Sequence, residues 1–355
     1  MSFIDLSTYA PEEIGNLPLD QIDVTNIPGV PSQNILTPSA GYKPFRYEWA
    51  YEVFLVQNRV HWLPDEVPLA DDVKDWKTKL TSVEQHLIRQ TFRLFTQSDT
   101  NINESYGYNY LKRFVASELL SANSAIGNIE AIHRAAYSHL LDTLGLPEEE
   151  YVKFYDFPAM LEKHNYMISF KMDTLFNTAV TLAGLGTFTE GVQLYASFAI
   201  LLNFTRQNKL KGMGQIVAWS QRDESLHADY NVLLFKALTT EFAAVLDAEE
   251  LRTRILEVCH QVIANEDNYI DLVFEMGPVD GMSAEELKTY IRYTMDQRMT
   301  QLGYDAVFGC ANPFQWIDVM LSKVEHANFF ENRATGYSRA ATRGTWGEVF
   351  AELIK

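Results

Sequence analysis

The sequence predicts an all-α protein, a helical bundle with additional helices around a carboxylate-lined core. Three observations predict it. Five of the twelve prolines lie before residue 40, and none falls between Pro68 and Pro147 or between Pro158 and Pro278; proline is poorly tolerated inside helices, so such gaps invite long ones. Within the gaps, apolar residues recur every three or four positions. Strand signals are weak throughout.

Residues 1–40 hold the clustered prolines and read as an irregular arm. The first gap opens on Thr81-Ser82-Val83-Glu84, a capping-box pattern that starts a helix. One stripe of that helix is Ile88, Phe92, Phe95, Asp99, Ile102 and Tyr106, which places a carboxylate in the middle of an apolar face. A second helix is expected from about Val115 to Leu144, stopped by Gly145 and Pro147. Further helices are expected near 158–184, 187–208, 210–240, 248–275 and 283–302, the last opened by a second capping box from Ser283 to Glu286. The domain reading is an arm (1–40), a helical domain (41–330) and a C-terminal tail (331–355).

Composition narrows the function classes. The 355 residues are 47% hydrophobic and 21% charged, ordinary for a globular chain with a large core, and carry a net charge of -18. So acidic a surface repels phosphate backbones, which argues against nucleic-acid binding and leaves divalent metals and basic protein partners open. The two cysteines, Cys259 and Cys310, form no C-x-x-C pair. A disulfide framework is therefore not expected, and a reducing cytoplasmic setting is. The N-terminus lacks the basic and apolar regions of a signal peptide, and no uninterrupted apolar run approaches 18 residues, so no membrane span is expected.

The chemistry lies in the pattern Glu-x-x-His, which occurs as Glu130/His133, Glu224/His227 and Glu257/His260. The first pair shares a stripe with Ile126, Tyr137 and Leu141, and the second with Val217, Ser220 and Leu234. The third sits with Thr253, Gln261 and Ala264 and reads as a solvated face. Each inward pair has an upstream acid, Asp99 31 residues before Glu130 and Glu190 34 before Glu224. Either interval fits one antiparallel helix hairpin. One acid from each of two helices, with a Glu-x-x-His from each of two others, is the ligand set of di-iron and di-manganese carboxylate bundles. Four buried carboxylates need compensating charge, and two divalent cations supply it. Oxygen-rich ligation with one imidazole per metal suits iron or manganese. A lone buried His or Asp is usually a hydrogen-bonded core residue, but six metal-type residues at two matching intervals are hard to assemble by chance.

Tyr137 follows His133 by one helical turn on the same face, within reach of a metal centre that could oxidise it. The ordinary alternative is a core tyrosine with a satisfied hydroxyl.

The blocks TQSD ending at Asp99, EAIHRAAY at 130–137, EGVQLYASF at 190–198 and RDESLH at 222–227 resemble, in order, the signature blocks of class I ribonucleotide reductase small subunits. The resemblance runs from roughly residue 45 to 340. It implies a ferritin-like bundle with additional helices around a di-metal carboxylate core, cytoplasmic and homodimeric. Asp99, Glu130 and His133 would bind the metal nearer the tyrosine, and Glu190, Glu224 and His227 the other, with Glu130 and Glu224 bridging. The cofactors implied are two iron ions, with di-manganese open, and a tyrosyl radical on Tyr137. Trp62, in HWLPDEV, matches the tryptophan that begins the electron route out of the site, and Asp223 the acid linking it to His133. The radical would pass to a large catalytic subunit that reduces ribonucleotides. Tyr337, the only tyrosine after Tyr304, is the candidate relay in a docking tail.

Two positions depart from the family's habit. Leu194 stands where phenylalanine is common, and Ser220 where an aliphatic is common. Tyr137 itself argues against the subgroup that has phenylalanine there and uses a mixed manganese–iron centre. The competing readings are a di-metal oxidase or hydroxylase acting on a bound organic substrate, an iron store, and a bundle that has lost its metal.

Overall fold

The capping box at Thr81 does start a helix: the Glu84 N–H donates to the Thr81 hydroxyl (3.3 Å), and the Thr81 N–H donates to the Glu84 carboxylate (2.8 Å). The computed structural model describes residues 3–321. Up to Pro313 they belong to one compact unit; a second begins at Phe314, and its described part is a short helical run over 315–321. Among the described residues the sole β pairing is an isolated antiparallel bridge, Val279 with Met282.

The helices of the first unit are α1 (Glu48–Arg59), α2 (Ala70–Thr78), α3 (Ser82–Ser105), α4 (Ser117–Leu144), α5 (Pro158–Met167), α6 (Leu175–Thr181), α7 (Tyr195–Arg206), α8 (Lys211–Glu241), α9 (Ala248–Val273) and α10 (Ala284–Leu302). Two π-helical segments interrupt the pattern, Tyr106–Tyr110 after α3 and Leu182–Gln193 between α6 and α7. Helix α4 ends as expected, with Gly145 in the left-handed conformation at φ 76°. The arm is irregular apart from single turns, and it buries Ile14, Leu19, Ile22, Ile27 and Ile35.

The structure corrects the expected helices in the middle of the chain. The helix expected over 158–184 stops at Met167, and a new one begins where the Thr174 hydroxyl accepts the Asn177 N–H. The break expected between 184 and 187 does not occur. The chain runs helically from Leu175 to Arg206, passing its glycines through the π segment. That segment is held from outside: the Lys163 ammonium donates to the Gln193 carbonyl (2.9 Å), and Arg298 donates to the Gly191 carbonyl (3.3 Å). By length and composition Leu175–Arg206 could cross a membrane, but its apolar window is wholly buried in the protein.

Helices α3, α4, α8 and the α6–π–α7 run pack around one centre, with α1 laid on α4 and α2 on α8. The start of α8 shows how tertiary packing completes a helix. Its own N-cap is Leu210, which offers no side-chain acceptor. Asp72 of α2 accepts instead from the N–H groups of Gly212 (3.0 Å) and Met213 (2.8 Å), and Asp75 from that of Leu210 (3.1 Å). A Cβ at position 212 would lie 2.8 Å from the Asp72 carboxylate, so only glycine lets the cap close.

Candidate metal centre

Asp99 comes from α3, Glu130 and His133 from α4, Glu190 from the π segment, and Glu224 and His227 from α8. All six are buried. They form two overlapping groups. Ligand atoms of Glu130, Glu190, Glu224 and His227 lie within 4.8 Å of one another, as do those of Asp99, Glu130 and His133. Glu130 belongs to both. Its carboxylate lies 2.9 Å from Nδ1 of His227 and 3.7 Å from Nδ1 of His133; that of Glu224 lies 3.1 Å from His133 and 3.6 Å from His227. Two carboxylates thus each face both imidazoles. The third pair, Glu257 and His260, is exposed, and Glu257 binds Arg254 at 2.9 Å.

The donor set fits cations. Both oxygens of Asp99 and of Glu130, one of Glu224, and Nδ1 of both histidines are buried without a hydrogen-bond partner. So many orphaned lone pairs around one space are costly unless a positive charge gathers them. Each histidine turns its other nitrogen outward: Nε2 of His133 lies 3.3 Å from Asp223, and Nε2 of His227 lies 3.0 Å from Oε1 of Gln57. Such outer partners fix the tautomer that leaves Nδ1 free to ligate. Gln57 carried no signal in the sequence, because it lies on α1 and reaches the site only through folding.

The ionisation of the cluster reflects crowding. Burial, then the charge on Glu130, holds the Asp99 carboxyl well above its ordinary range. Burial also pushes Glu190 up to about 8, against the pull of His227. Burial works the same way on Glu130, but the neighbouring imidazoles of His133 and His227 outweigh it and bring that carboxyl down to about 2. Burial disfavours charge on both imidazoles, yet the surrounding carboxylates raise them well above the usual histidine value. Cations entering this cluster must displace protons from it.

Tyr137 is fully buried and its hydroxyl has no hydrogen-bond partner. Its ring packs against Phe95 (4.5 Å) and Phe92 (6.1 Å), and Phe198 stands edge-on to Phe95 (5.3 Å). Burial, then the charge on Asp99, pushes the phenol well up, while Ser220 acts in the opposite direction. The Ser220 hydroxyl is itself satisfied by the Ile216 carbonyl (3.1 Å), and Leu194 is buried. On the outer side of His133, the Trp62 indole N–H donates to Asp223 (2.8 Å). The Trp62 ring lies 5.9 Å from that of His133 and 5.2 Å from Trp219. The expected chain from Trp62 through Asp223 to His133 is therefore continuous. Tyr337 lies outside the described residues.

Sequence comparison is consistent with this geometry. Residues 39–313 match the family described as "Ribonucleotide reductase, small chain". The probable ribonucleoside-diphosphate reductase small subunit of Invertebrate iridescent virus 3 is 35% identical over 89% of this chain and 89% of its own length. Its counterpart from Invertebrate iridescent virus 6 is 33% identical over 87% of this chain and 96% of its own length. The solved structure of dimanganese(II)-NrdF from Streptococcus sanguinis shares the fold, with a TM-score of 0.68 at 22% identity over 77% of this chain and 94% of that one. This chain belongs to the small-chain family of ribonucleotide reductases.

Proposed function

We propose that this chain binds one metal ion between Asp99, Glu130 and His133 and a second between Glu190, Glu224 and His227, keeps a radical on Tyr137, and delivers its oxidising equivalent to a large catalytic subunit. The observation that carries this reading is the pair of overlapping acid–histidine groups sharing Glu130, beside a buried tyrosine with no hydrogen-bond partner. Four carboxylates and two imidazoles suit two iron or two manganese ions, and such a pair, when bound, supplies the oxidising power for the tyrosine.

The protein's own groups do the rest. Glu130 and Glu224 hold the two positions together. Asp223 and Gln57 keep His133 and His227 facing inward. Phe92, Phe95 and Phe198 exclude water from Tyr137, and exclusion of water protects a radical from quenching. Among the carboxylates, Asp99 acts most strongly on the Tyr137 phenol. Trp62, hydrogen-bonded to Asp223, begins the route outward; Tyr337, in the 331–355 tail that docks on the large subunit, continues it. The chain works as a cytoplasmic homodimer. The oxidase alternative is not favoured: a 460 Å³ cavity near the site is lined by Gln57, His61, Leu120, Ser124 and Asn128, and by none of the six ligand residues.

The test is metal analysis with electron paramagnetic resonance after loading and exposure to oxygen. Two metals per chain and a tyrosyl signal are expected, with the signal lost in Tyr137→Phe. A signal of normal size in that variant would remove Tyr137 from the role.

A further inference from the structure

The stripe that carries Asp99 also carries Tyr106, a residue the chemistry above does not use. Seven residues separate them, about 10.5 Å along a helix, so they reach opposite ends of the cluster. Tyr106 is fully buried, and its hydroxyl lies 3.2 and 3.4 Å from the two oxygens of Glu190. It does not stand alone. The Asn231 amide donates to the Tyr106 hydroxyl (2.9 Å) and to the His227 carbonyl one turn back (2.9 Å), and it lies 3.5 Å from Oε1 of Glu190. The Tyr110 hydroxyl donates to the side-chain Oδ1 of Asn231 (2.6 Å), and the Tyr106 and Tyr110 rings pack at 4.3 Å. Two local features make this possible. The π turn Tyr106–Tyr110 brings both tyrosines inward, and Gly186 leaves room for Asn231, whose amide a Cβ there would strike.

Glu190 needs such support. It is the one ligand supplied by the π segment, and its side chain has several rotamers to lose on binding a metal. The Tyr106 hydroxyl can donate to one carboxylate oxygen while the other faces the cluster. Asn231 keeps that hydroxyl aimed, since its amide hydrogen occupies the phenol's acceptor side. We propose that Tyr106, braced by Asn231 and Tyr110, is a positioning residue that presets Glu190 and so sets the affinity of the metal position it shares with His227. This deepens the di-metal reading and rests on it.

The experiment titrates Mn2+ anaerobically into the full-length metal-free chain, followed by calorimetry and by the manganese resonance signal. Outer partners of metal ligands are worth 10- to 100-fold in affinity. Tyr106→Phe should weaken one of the two binding steps at least about tenfold and leave the other unchanged. Asp99→Ala should weaken the other step, and in the double variant the two losses should fall on separate steps. Tyr110→Phe, one bond further from Glu190, should weaken the Tyr106 step by less. It decides the matter if Tyr106→Phe does not fold. Unchanged affinity in Tyr106→Phe, unchanged affinity in Tyr110→Phe where that variant stands in, or losses from Tyr106→Phe and Asp99→Ala on the same step would overturn the inference alone. A wild-type chain that takes up fewer than two ions would overturn the metal reading and this inference with it.

Discussion

The two tyrosines beside the cluster sit in opposite surroundings. Tyr137, on the Asp99 side, has an unpartnered hydroxyl among phenylalanines. Tyr106, on the Glu190 side, is tied by hydrogen bonds to a ligand, to Asn231 and, through it, to Tyr110. The backbones differ too: Asp99 and Glu130 stand on regular α-helix, whereas Glu190 stands on a π segment clamped by Lys163 and Arg298. The tyrosine of one half is held by apolar packing and that of the other by polar contacts. On the proposed reading, packing suits a tyrosine that exchanges an electron without being quenched, and hydrogen bonds suit a carboxylate that is aimed at a metal.

The largest effect is expected where packing carries the load. Phe95→Ala should destabilise the chain by about 3–5 kcal/mol, read from thermal or denaturant unfolding, and shorten the life of the radical. A loss below about 1 kcal/mol would mean that the site collapses around the gap, and that the Tyr137 side is less tightly packed than described.

On the polar side, Lys163 pairs with buried Glu266 at 2.6 Å. Burial pushes the Glu266 carboxyl up to about 7, against the pull of Lys163. Its folded value thus lies above the ordinary 4.5 of the unfolded chain, so the folded state holds a proton there that the unfolded state releases first. The stability tied to that proton is complete below pH about 4.5 and fades as pH rises through 7. It amounts to something on the order of 3 kcal/mol. Glu266→Gln should flatten this part of the unfolding profile between pH 5 and 8, and Lys163→Met should destabilise more at pH 8 than at pH 6. A Lys163→Met penalty independent of pH would show that Glu266 stays ionised in the fold.

Smaller effects should follow further out. Asp72→Ala removes the acceptor for two N–H groups at the start of α8 and should cost about 1–2 kcal/mol; no change in unfolding would mean that Asp75 alone suffices. Ser220→Ala should alter stability by less than about 1 kcal/mol, because the hydroxyl's bond is to the carbonyl of its own helix at Ile216. Its informative readout is radical lifetime, expected to lengthen as the pocket becomes fully apolar. An unchanged lifetime would exonerate the serine.

Much of the centre could be read in advance because helical periodicity is local. Asp99 in an apolar stripe, and two Glu-x-x-His pairs whose faces were otherwise apolar, marked inward-facing polar groups. The exposed face around Glu257 and His260 marked the pair to set aside. The same logic erred between 184 and 187, where a break between helices was expected and the chain instead widened into a π-helix around Gly184 and Gly186. Glycine reports that a side chain is unwelcome, but not whether a turn or a close neighbour excludes it; at Gly186 the neighbour is Asn231.

The sequence by itself determined the helical class, Asp99, the two Glu-x-x-His pairs and the tyrosine beside them, since each depends on spacing within one helix; Glu190 rested on its interval to Glu224 across a hairpin. Tertiary structure alone decided that Gln57 backs His227, that Asp72 caps α8, that Lys163 and Arg298 clamp the π segment, and that Tyr106 meets Glu190. These contacts join residues far apart in the chain, with 84 positions between Tyr106 and Glu190 and 170 between Gln57 and His227. No local pattern encodes such pairings; they arise only when separate helices are packed together to bury their apolar faces.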